Sequence, residues 1–292
     1  MPELPEIEHL RRSLESSLVG AKVRRAVAHR RDVIRLGRPF PNEGSKGPGR
    51  APAMGTALLR GDRIDRLERR GKQLAIIGRS AGVICVHLGM SGQLRLVGPR
   101  TRVEPNTHIH VRWWLEGKDG REGQLVFRDP RRFGGIWTFP DQAVLDEKRW
   151  SRLGPDALTI RRAEVANALR RTSRPLKTAL LDQSLIAGLG NIYVDEILFR
   201  SGLHPQRRAN RVSDDQLGPL HRSIRRILGE AIKAGGSTLR DYADSRGRPG
   251  RYTARHLVYG RAGLPCRNCR TLLEQLRIAQ RTTVVCPRCQ PV

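Results

Sequence analysis

The chain begins MPELPE, which places a proline and a carboxylate ahead of the first helix. If the initiator methionine is removed, Pro2 carries a free secondary amine. An amine beside an acid/base group such as Glu3 is the minimum arrangement for covalent catalysis on an electrophilic carbon. The alternative is an ordinary helix start, with Pro5 in the first turn and Leu4 packed onto the helix. That alternative leaves Pro2 and Glu3 unexplained.

Four of the five cysteines form two Cys-x-x-Cys pairs separated by sixteen residues. Two such pairs can supply the four thiolates of a tetrahedral structural zinc site, and a redox pair or two disulfides are the alternatives. The intervening segment fits a β-hairpin whose folding depends on the metal. The predicted zinc ligands are Cys266, Cys269, Cys286 and Cys289. Cys85 is predicted to be a small buried hydrophobe.

The charge balance predicts a nucleic-acid partner. Lys and Arg number 55 against 28 Asp and Glu, which gives a net charge of +27, and only seven of the 55 are lysines. Guanidinium groups suit bidentate contacts with phosphate. A GC-rich genome would also enrich arginine, but would not by itself create an imbalance of this size. No apolar run is long enough to span a membrane and no signal peptide is recognisable, so a cytoplasmic protein is predicted.

The periodicity of apolar residues predicts the elements that must position these groups. A first helix is predicted from four apolar residues at helical spacing, and Gly20 closes it. These residues are Ile7, Leu10, Leu14 and Leu18. Segments between residues 61 and 139 alternate with period two and read as strands, whereas helical patterns dominate after residue 160. Residues 37–55, nine of which are Gly or Pro, predict a surface loop.

Several motifs occur along the chain in a recognisable order. Together they resemble bacterial formamidopyrimidine-DNA glycosylase, a base-excision repair enzyme, over essentially the full length. The motifs are MPELPEIE, HLGMSG, DPRRFG, GLGNIYVDE, GGSTLRDY, VYGRAGLPCRNC and QRTTVVCPRC.

The resemblance implies an α+β multidomain fold in three parts. Residues 1–150 are expected to form a two-layer antiparallel β-sandwich with a leading helix. Residues 151–255 are expected to form a helix-two-turns-helix domain with a lesion-recognition loop, and residues 256–292 a zinc β-hairpin. A coarse reading of the periodicities gives the same three parts.

The resemblance also assigns roles to the catalytic candidates of a bifunctional glycosylase and lyase that removes oxidised purines. It implies that Pro2 attacks C1′ of the damaged nucleotide and that Glu3 moves protons during base loss. Lys72 would approach the flanking phosphates and sugar, although a solvated strand lysine is the alternative. Arg281 would grip a phosphate and donate a proton in the second elimination.

The expected partner is damaged double-stranded DNA, bound by a monomer. Met90, Arg131 and Phe133 match residues that fill the gap left by the extruded base, although ordinary β core is the alternative for Met90 and Phe133. Asn191 would donate to a phosphate from a helix N-terminus. The remaining predicted DNA contacts are His87, His108, Arg171 and Lys177.

Three features depart from the family pattern and leave lesion preference open. Arg251 stands where many members carry an aromatic residue, Ile109 replaces a common acidic residue, and the loop at 37–55 has no evident counterpart. One alternative is an endonuclease VIII-like glycosylase for oxidised pyrimidines, although such enzymes usually begin PEGPE. Another is a non-catalytic zinc-dependent DNA-binding protein, for which Pro2 would have no use.

Overall fold

The computed structural model describes residues 2–36, 57–101, 108–238 and 242–292. The loop predicted at 37–55 lies outside the described residues. The chain forms two compact units. The first, here called the sheet unit, consists of Pro2, Glu6–Arg152 and Thr238–Gly250. The second, the helical unit, consists of Glu3–Pro5, Leu153–Ser237 and Arg251–Val292.

The sheet unit contains two β-sheets. A four-stranded sheet has the order β1-β7-β8-β6 and a five-stranded sheet the order β2-β9-β5-β4-β3. All neighbouring strands are antiparallel except β2 and β9, which pair in parallel. The strands are β1 Lys22–Ala28, β2 Ile34–Leu36, β3 Ile64–Arg70, β4 Gln73–Gly78, β5 Val83–His87, β6 Gln93–Val97, β7 Ile109–Glu116, β8 Glu122–Arg128 and β9 Gly135–Phe139.

One hydrophobic core joins both sheets and the leading helix α1, Leu4–Leu18. The four apolar residues predicted for this helix are buried in that core, and Gly20 follows it at a φ of +84°. Trp113 and Phe127 contribute from the four-stranded sheet, and Ile76 from the five-stranded sheet. The predicted sandwich with a leading helix is therefore confirmed.

A carboxylate on α1 connects this helix to the turn between β3 and β4. Glu8 accepts hydrogen bonds from Arg11, Arg12 and Arg69. Burial alone would raise the pKa of Glu8, but the hydrogen bonds from Arg11 and Arg12 and the nearby charges outweigh it and lower that pKa to about 2. Arg69 also donates to the carbonyl of Gly71 at 2.9 Å, which fixes the turn that carries Lys72.

The helical unit is built around a second apolar core and ends in a β-hairpin. The apolar face of its longest helix is buried, and Ser213 with Gln216 forms a capping box at its start. Its helices are α3 Arg162–Arg170, α4 Leu176–Leu181, α5 Asn191–Ser201 and α6 Asp214–Lys233, and its hairpin strands are β10 Glu274–Ile278 and β11 Arg281–Val285. The short helix α2, Gln142–Lys148, belongs to the sheet unit.

The structure refines the predicted elements in two places. Within the region predicted to form strands, residues 61–77 form a hairpin that reverses at Gly71 and Lys72, where Gly71 has a φ of +56°. Strands β1 and β2 and helix α2 were not predicted, since their short apolar patterns are interrupted by arginine and acidic residues. Among the helices of the described ranges, none combines the length and the apolar character needed to cross a membrane.

Candidate active site and nucleic-acid interface

Glu3 lies at the N-terminus of α5, although the two are far apart in sequence. Its carboxylate accepts hydrogen bonds from the backbone N–H of Ile192 at 2.9 Å and of Tyr193 at 3.4 Å. The side chain is buried. Free N–H groups and the helix dipole at this end of α5 favour a negative charge, and the two hydrogen bonds hold the Glu3 side chain in one orientation.

Two glycines make this approach possible. A Cβ at Gly190 would overlap the Glu3 carboxylate, and one at Gly188, whose φ is +110°, would overlap the Leu4 side chain. The N–H of Leu4 donates to the carbonyl of Gly188 at 3.1 Å. The motif GLGNIY therefore contains glycines because the start of the chain packs against it. In the sequence alone these glycines indicate only a break between two apolar helical patterns.

Pro2, Lys72 and His87 belong to the sheet unit, where Pro2 is buried and the other two are partly buried. Lys72 lies in the β3–β4 turn, next to Gln73, which pairs with His87 on β5. Burial and the charges of Arg149 and Lys72 lower the pKa of His87 to about 4, so its ring is neutral near pH 7. Gly89 donates its N–H to Nδ1 of His87 at 3.2 Å, which assigns the ring proton to Nε2.

Two loops of the sheet unit meet at a buried aspartate that sequence reasoning missed. Asp129 accepts a hydrogen bond from the Ser91 hydroxyl at 2.6 Å and from the Gly134 N–H at 2.7 Å. Ser91 follows Met90 in HLGMSG, and Gly134 follows Phe133 in DPRRFG. Asp129 thus holds the loops that carry Met90 and Phe133 together. The Asp-Pro pair at the start of the second loop was the available signal, since it is typical of a turn.

The side chains presented by these loops are exposed. Met90 is 41% exposed and Phe133 is 57% exposed, whereas ordinary core residues of this unit are almost fully buried. The Arg131 guanidinium carbon lies 4.9 Å from the centroid of the Phe133 ring, within the range of a cation–π contact. The core alternative therefore does not hold for Met90 and Phe133, and the gap-filling role stays a prediction.

Truncating Phe133 is expected to separate DNA processing from stability. Phe133→Ala should leave the melting temperature within about 2 °C of the wild-type value, because an exposed side chain contributes little to folding. Lesion processing should fall by about tenfold or more, since an inserted side chain offsets the unstacking cost of base extrusion. Phe127→Ala is the matched control, because Phe127 is fully buried and its truncation should cost about 3–5 kcal/mol. Equal destabilisation by both variants would contradict the prediction.

Lys177 is fully buried and holds the terminal hairpin. Its Nζ donates to the Asp195 carboxylate at 2.6 Å, the Thr283 hydroxyl at 2.8 Å and the Thr282 carbonyl at 3.1 Å. Asp195 also accepts from the Val284 N–H at 3.3 Å. Burial is the main cause that lowers the pKa of Lys177 and raises that of Asp195, and their contact opposes both shifts. The DNA contact predicted for Lys177 stays a prediction, whereas its observed contacts fix β11 on α4 and α5.

Arg281 is exposed at the start of β11, directly after the hairpin turn. The two turn residues, Ala279 and Gln280, have φ values of +48° and +60°, as a two-residue hairpin turn requires. Asn191, the first residue of α5, donates from Nδ2 to the carbonyl of Thr282 at 3.1 Å. Asn191 and Arg281 are therefore held at the same end of the hairpin.

The four cysteines of the two Cys-x-x-Cys pairs form one cluster. Their Sγ atoms all lie within 4.8 Å of one another, and each cysteine is a free thiol. The backbone N–H of Asn268 and that of Cys289 each point at a sulfur, Cys266 and Cys286 respectively, at 3.4 Å. Tetrahedral zinc–thiolate bonds of about 2.3 Å place sulfurs just under 4 Å apart, so the cluster fits a zinc ion. Cys85 is separate and buried in β5, as predicted.

The other predicted contacts lie at exposed positions. Arg171 follows the last residue of α3, and His108 precedes β7 with a φ of +57°, which is uncommon for a residue other than glycine. The His108 carbonyl accepts from the N–H of Asp129 at 3.0 Å. Arg251, the departure from the family pattern, is exposed, and its neighbour Tyr252 is buried. The DNA contacts predicted for Arg171 and His108 stay predictions.

Models of known protein families match most of the chain. Residues 1–136 match the model of the formamidopyrimidine-DNA glycosylase N-terminal domain. Residues 153–243 match the H2TH domain of the same family, and residues 263–292 match a zinc finger found in FPG and IleRS.

Individual proteins resemble the chain over its full length. The formamidopyrimidine-DNA glycosylase of Thermomicrobium roseum is 40% identical over 100% of both chains, and that of Bacillus subtilis is 38% identical over 99% of both. A crystal structure of a Lactococcus lactis Fpg variant with DNA containing Fapy-dG superimposes with a TM-score of 0.84, at 31% identity over 100% of both chains. The crystal structure of the Fpg protein from Thermus thermophilus gives a TM-score of 0.81 at 38% identity, over 99% of this chain and 98% of that chain.

The fold, the cysteine cluster and these matches define a base-excision DNA repair glycosylase with a zinc-finger module. The chain belongs to the formamidopyrimidine-DNA glycosylase family, whose members combine glycosylase and AP lyase activity. The family and the enzyme class predicted from the sequence motifs are thereby confirmed.

Proposed function

We propose that this enzyme excises oxidised purines, 8-oxoguanine and formamidopyrimidines, through a Schiff base on Pro2 and then cleaves the strand by β,δ-elimination. The observation that carries the proposal is the orientation of Glu3. A buried carboxylate held by two N–H groups at the start of α5 immediately follows the residue proposed as the nucleophile. A protein that only bound DNA would have no use for this arrangement.

The nitrogen of Pro2 is suited to the first step. The reference pKa of an α-amine is about 7.7–8.0, against about 10.4 for lysine, so a larger fraction is neutral and nucleophilic near pH 7. Its lone pair attacks C1′ as the N-glycosyl bond breaks, and the departing base takes a proton from water. Glu3 accepts the proton released by the amine and returns one as the sugar ring opens. The product is an iminium cation between Pro2 and C1′.

The iminium then acts as the electron sink for strand cleavage. Loss of a proton from C2′ expels the 3′ phosphate, and a second elimination expels the 5′ phosphate. Arg281 is proposed to grip a phosphate and donate the proton in this second step. Its support is its exposed position at the tip of a hairpin that Lys177 and Asp195 hold in place. Lys72 is proposed to approach the flanking phosphates and sugar.

DNA binding is proposed to use side chains of both units. Met90, Arg131 and Phe133 would fill the gap left by the extruded base, which is supported by their exposure on two joined loops. His87 would donate from Nε2 to a phosphate without carrying a charge. The other proposed contacts are His108, Arg171, Lys177 and Asn191.

A single zinc ion is proposed to be held by Cys266, Cys269, Cys286 and Cys289. It would be structural, because four protein thiolates leave no open position for a substrate. The zinc would stabilise the hairpin that presents Arg281. The proposed partner is damaged double-stranded DNA, bound by a monomer. The choice of oxidised purines over pyrimidines is supported by the Fapy-dG-containing DNA bound to a relative.

Borohydride trapping on an 8-oxoguanine duplex is expected to yield a covalent adduct whose peptide map places the link at Pro2. The reductant converts the iminium to a stable amine and so records which nitrogen attacked C1′. Pro2→Gly should lower the yield of adduct strongly, because a flexible primary amine replaces the constrained secondary amine. The same experiment on an oxidised-pyrimidine duplex tests lesion range.

Lys72→Arg is the control, because it removes the other candidate amine near the site while keeping its charge. This variant should still form the adduct at Pro2. An adduct that persists in Pro2→Gly and maps to a lysine would overturn the proposed nucleophile. Preferred trapping on the pyrimidine duplex would favour the endonuclease VIII-like alternative.

A further inference from the structure

The four-stranded sheet carries an unusual pair of arginines on the face opposite its core. On β7 the residues Val111, Trp113 and Leu115 are buried in the core, so Arg112 and Trp114 point to the other face. Arg112 is nevertheless only 9% exposed. Such deep burial is rare for an arginine unless its charge is paired.

A single tryptophan holds two guanidinium groups at this place. The guanidinium carbon of Arg25, from β1, lies 4.8 Å from the centroid of the Trp114 ring, and that of Arg112 lies 5.3 Å from it. Arg25 is directly opposite Trp114 in the ladder between β1 and β7. Cation–π contact with one ring therefore brings two like charges close together.

Within the described ranges, no acidic group neutralises this pair. Nε and Nη2 of Arg112 are buried and make no hydrogen bond. Glu116, the acid on the same strand, is engaged by Arg24. Buried donors without a partner are costly, and more so when they are charged, which indicates that an anion belongs here.

His29 completes the cluster at the end of β1. Val27 on β1 pairs with Arg112, and alternation along the strand directs His29 to the same face as Arg25. Burial and then the charges of Arg112 and Arg25 lower the pKa of its ring. The backbone N–H groups of His29 and Arg30 both donate to the carbonyl of His110 on β7, at 2.8 and 3.2 Å. These backbone hydrogen bonds fix the end of β1 to β7, the two strands that carry the three side chains.

The cluster lies near the loop proposed to enter the DNA. Ile109 pairs with Arg128, the last residue before that loop, and Arg112 is three residues further along β7. At about 3.3 Å per residue this separation is ~10 Å. A DNA duplex rises 3.4 Å per base pair, so this separation corresponds to about three base steps.

We propose that Arg25, Arg112 and His29 form a phosphate-group site that binds the DNA backbone beyond the lesion, an inference that rests on the proposed function for the placement of the DNA. The site supplies guanidinium forks, which match phosphate oxygens in geometry and charge. A free phosphate or pyrophosphate anion has the same chemistry, and the test separates the two sources.

The test compares two lengths of duplex, each with a central abasic-site analogue. One extends two base pairs beyond the lesion on each side, with both ends closed by uncharged linkers so that the strands stay paired, and the other extends about twelve. For the longer duplex, the Arg25→Gln/Arg112→Gln variant should reduce the slope of log affinity against log salt by about one per arginine. For the shorter duplex the slope should be unchanged.

Arg24→Gln is the matched control, because Arg24 is the neighbouring exposed arginine but is already paired with Glu116. It should leave both slopes unchanged. Arg25 is exposed, so the single variant Arg25→Gln should fold even if the double variant does not. The single variant should then give half of the change in the salt slope. Borohydride trapping in the same samples, with an 8-oxoguanine duplex, reports on the proposed function separately.

A second arm measures the melting temperature against inorganic phosphate and pyrophosphate. Suppose that phosphate or pyrophosphate raises the melting temperature of the wild type but not of the double variant, and that the slope for the long duplex is unchanged. This result would identify a free anion as the occupant and reject the DNA backbone. No slope change and no protection, in a protein that still forms the Pro2 adduct, would overturn the site and leave the proposed function standing.

Discussion

Replacing Glu3 by glutamine is expected to slow base release by about 10²–10⁴-fold, the usual contribution of a positioned proton-transfer group. Glutamine keeps the shape of the side chain, and its amide oxygen can still accept from the Ile192 N–H. The fold should therefore survive. What the variant loses is the proton affinity of the carboxylate. Single-turnover kinetics on an 8-oxoguanine duplex measures the base-release step directly.

The expected pattern distinguishes proton transfer from a structural role. Binding of an abasic-analogue duplex should be nearly unchanged, because Glu3 carries a negative charge and is not expected to contact phosphate. Strand cleavage at a preformed abasic site should fall less than base release, because no base has to leave. Glu15→Gln is the control, since Glu15 lies on α1, the helix that Glu3 precedes, and is exposed. A normal rate of base release by Glu3→Gln would remove Glu3 from the mechanism.

Replacing Cys286 by serine is expected to remove both the zinc and tight DNA binding. The core beneath the hairpin is small, and two of its six buried residues are themselves members of the cysteine cluster. Such a module cannot fold on hydrophobic burial alone, so metal binding and folding are one equilibrium. Structural zinc contributes about 10–16 kcal/mol to such small modules. The loss should therefore be far larger than for an average surface substitution.

Metal analysis and a binding titration check this prediction together. The wild type should contain close to one zinc per chain, and Cys286→Ser close to none. Cys85→Ser is the matched control, because Cys85 is buried in β5, outside the cluster, and its removal should leave the zinc content at one. A metal-free wild-type preparation with full activity would contradict the proposed role of the zinc.

The two variants should fail in different ways. Glu3→Gln should bind DNA and not release the base, whereas Cys286→Ser should lose binding and therefore all later steps. The reason lies in how the helical unit is built. Lys177 and Asp195 hold β11 on α4 and α5, but Arg281 at the turn depends on the hairpin being folded. Glu3 is fixed by α5 itself and does not depend on the metal cluster.

The sequence by itself determined the parts of this protein that depend on local pattern. Cys-x-x-Cys spacing specified the ligand cluster, since two residues between cysteines bring both sulfurs to one side of a tight turn. Apolar periodicity specified α1 and α6, and the capping box at Ser213 specified where α6 begins. The terminal PELPE motif indicated the chemistry through its residue types alone.

Tertiary structure decided what depends on contacts between distant residues. Glu3 meets the N-terminus of α5 almost 190 residues later, and Gly190 has its meaning only because of that contact. Asp129 joins two loops that are about forty residues apart, and no feature of the sequence around Asp129 indicates its hydrogen bond with Ser91. The sequence predicted Lys177 as a contact for DNA, whereas in the folded protein it is buried against Asp195. Residue types and spacing carry local propensity, but burial and orientation are set only when separate segments pack, and in this enzyme that packing orients Glu3 and presents Arg281.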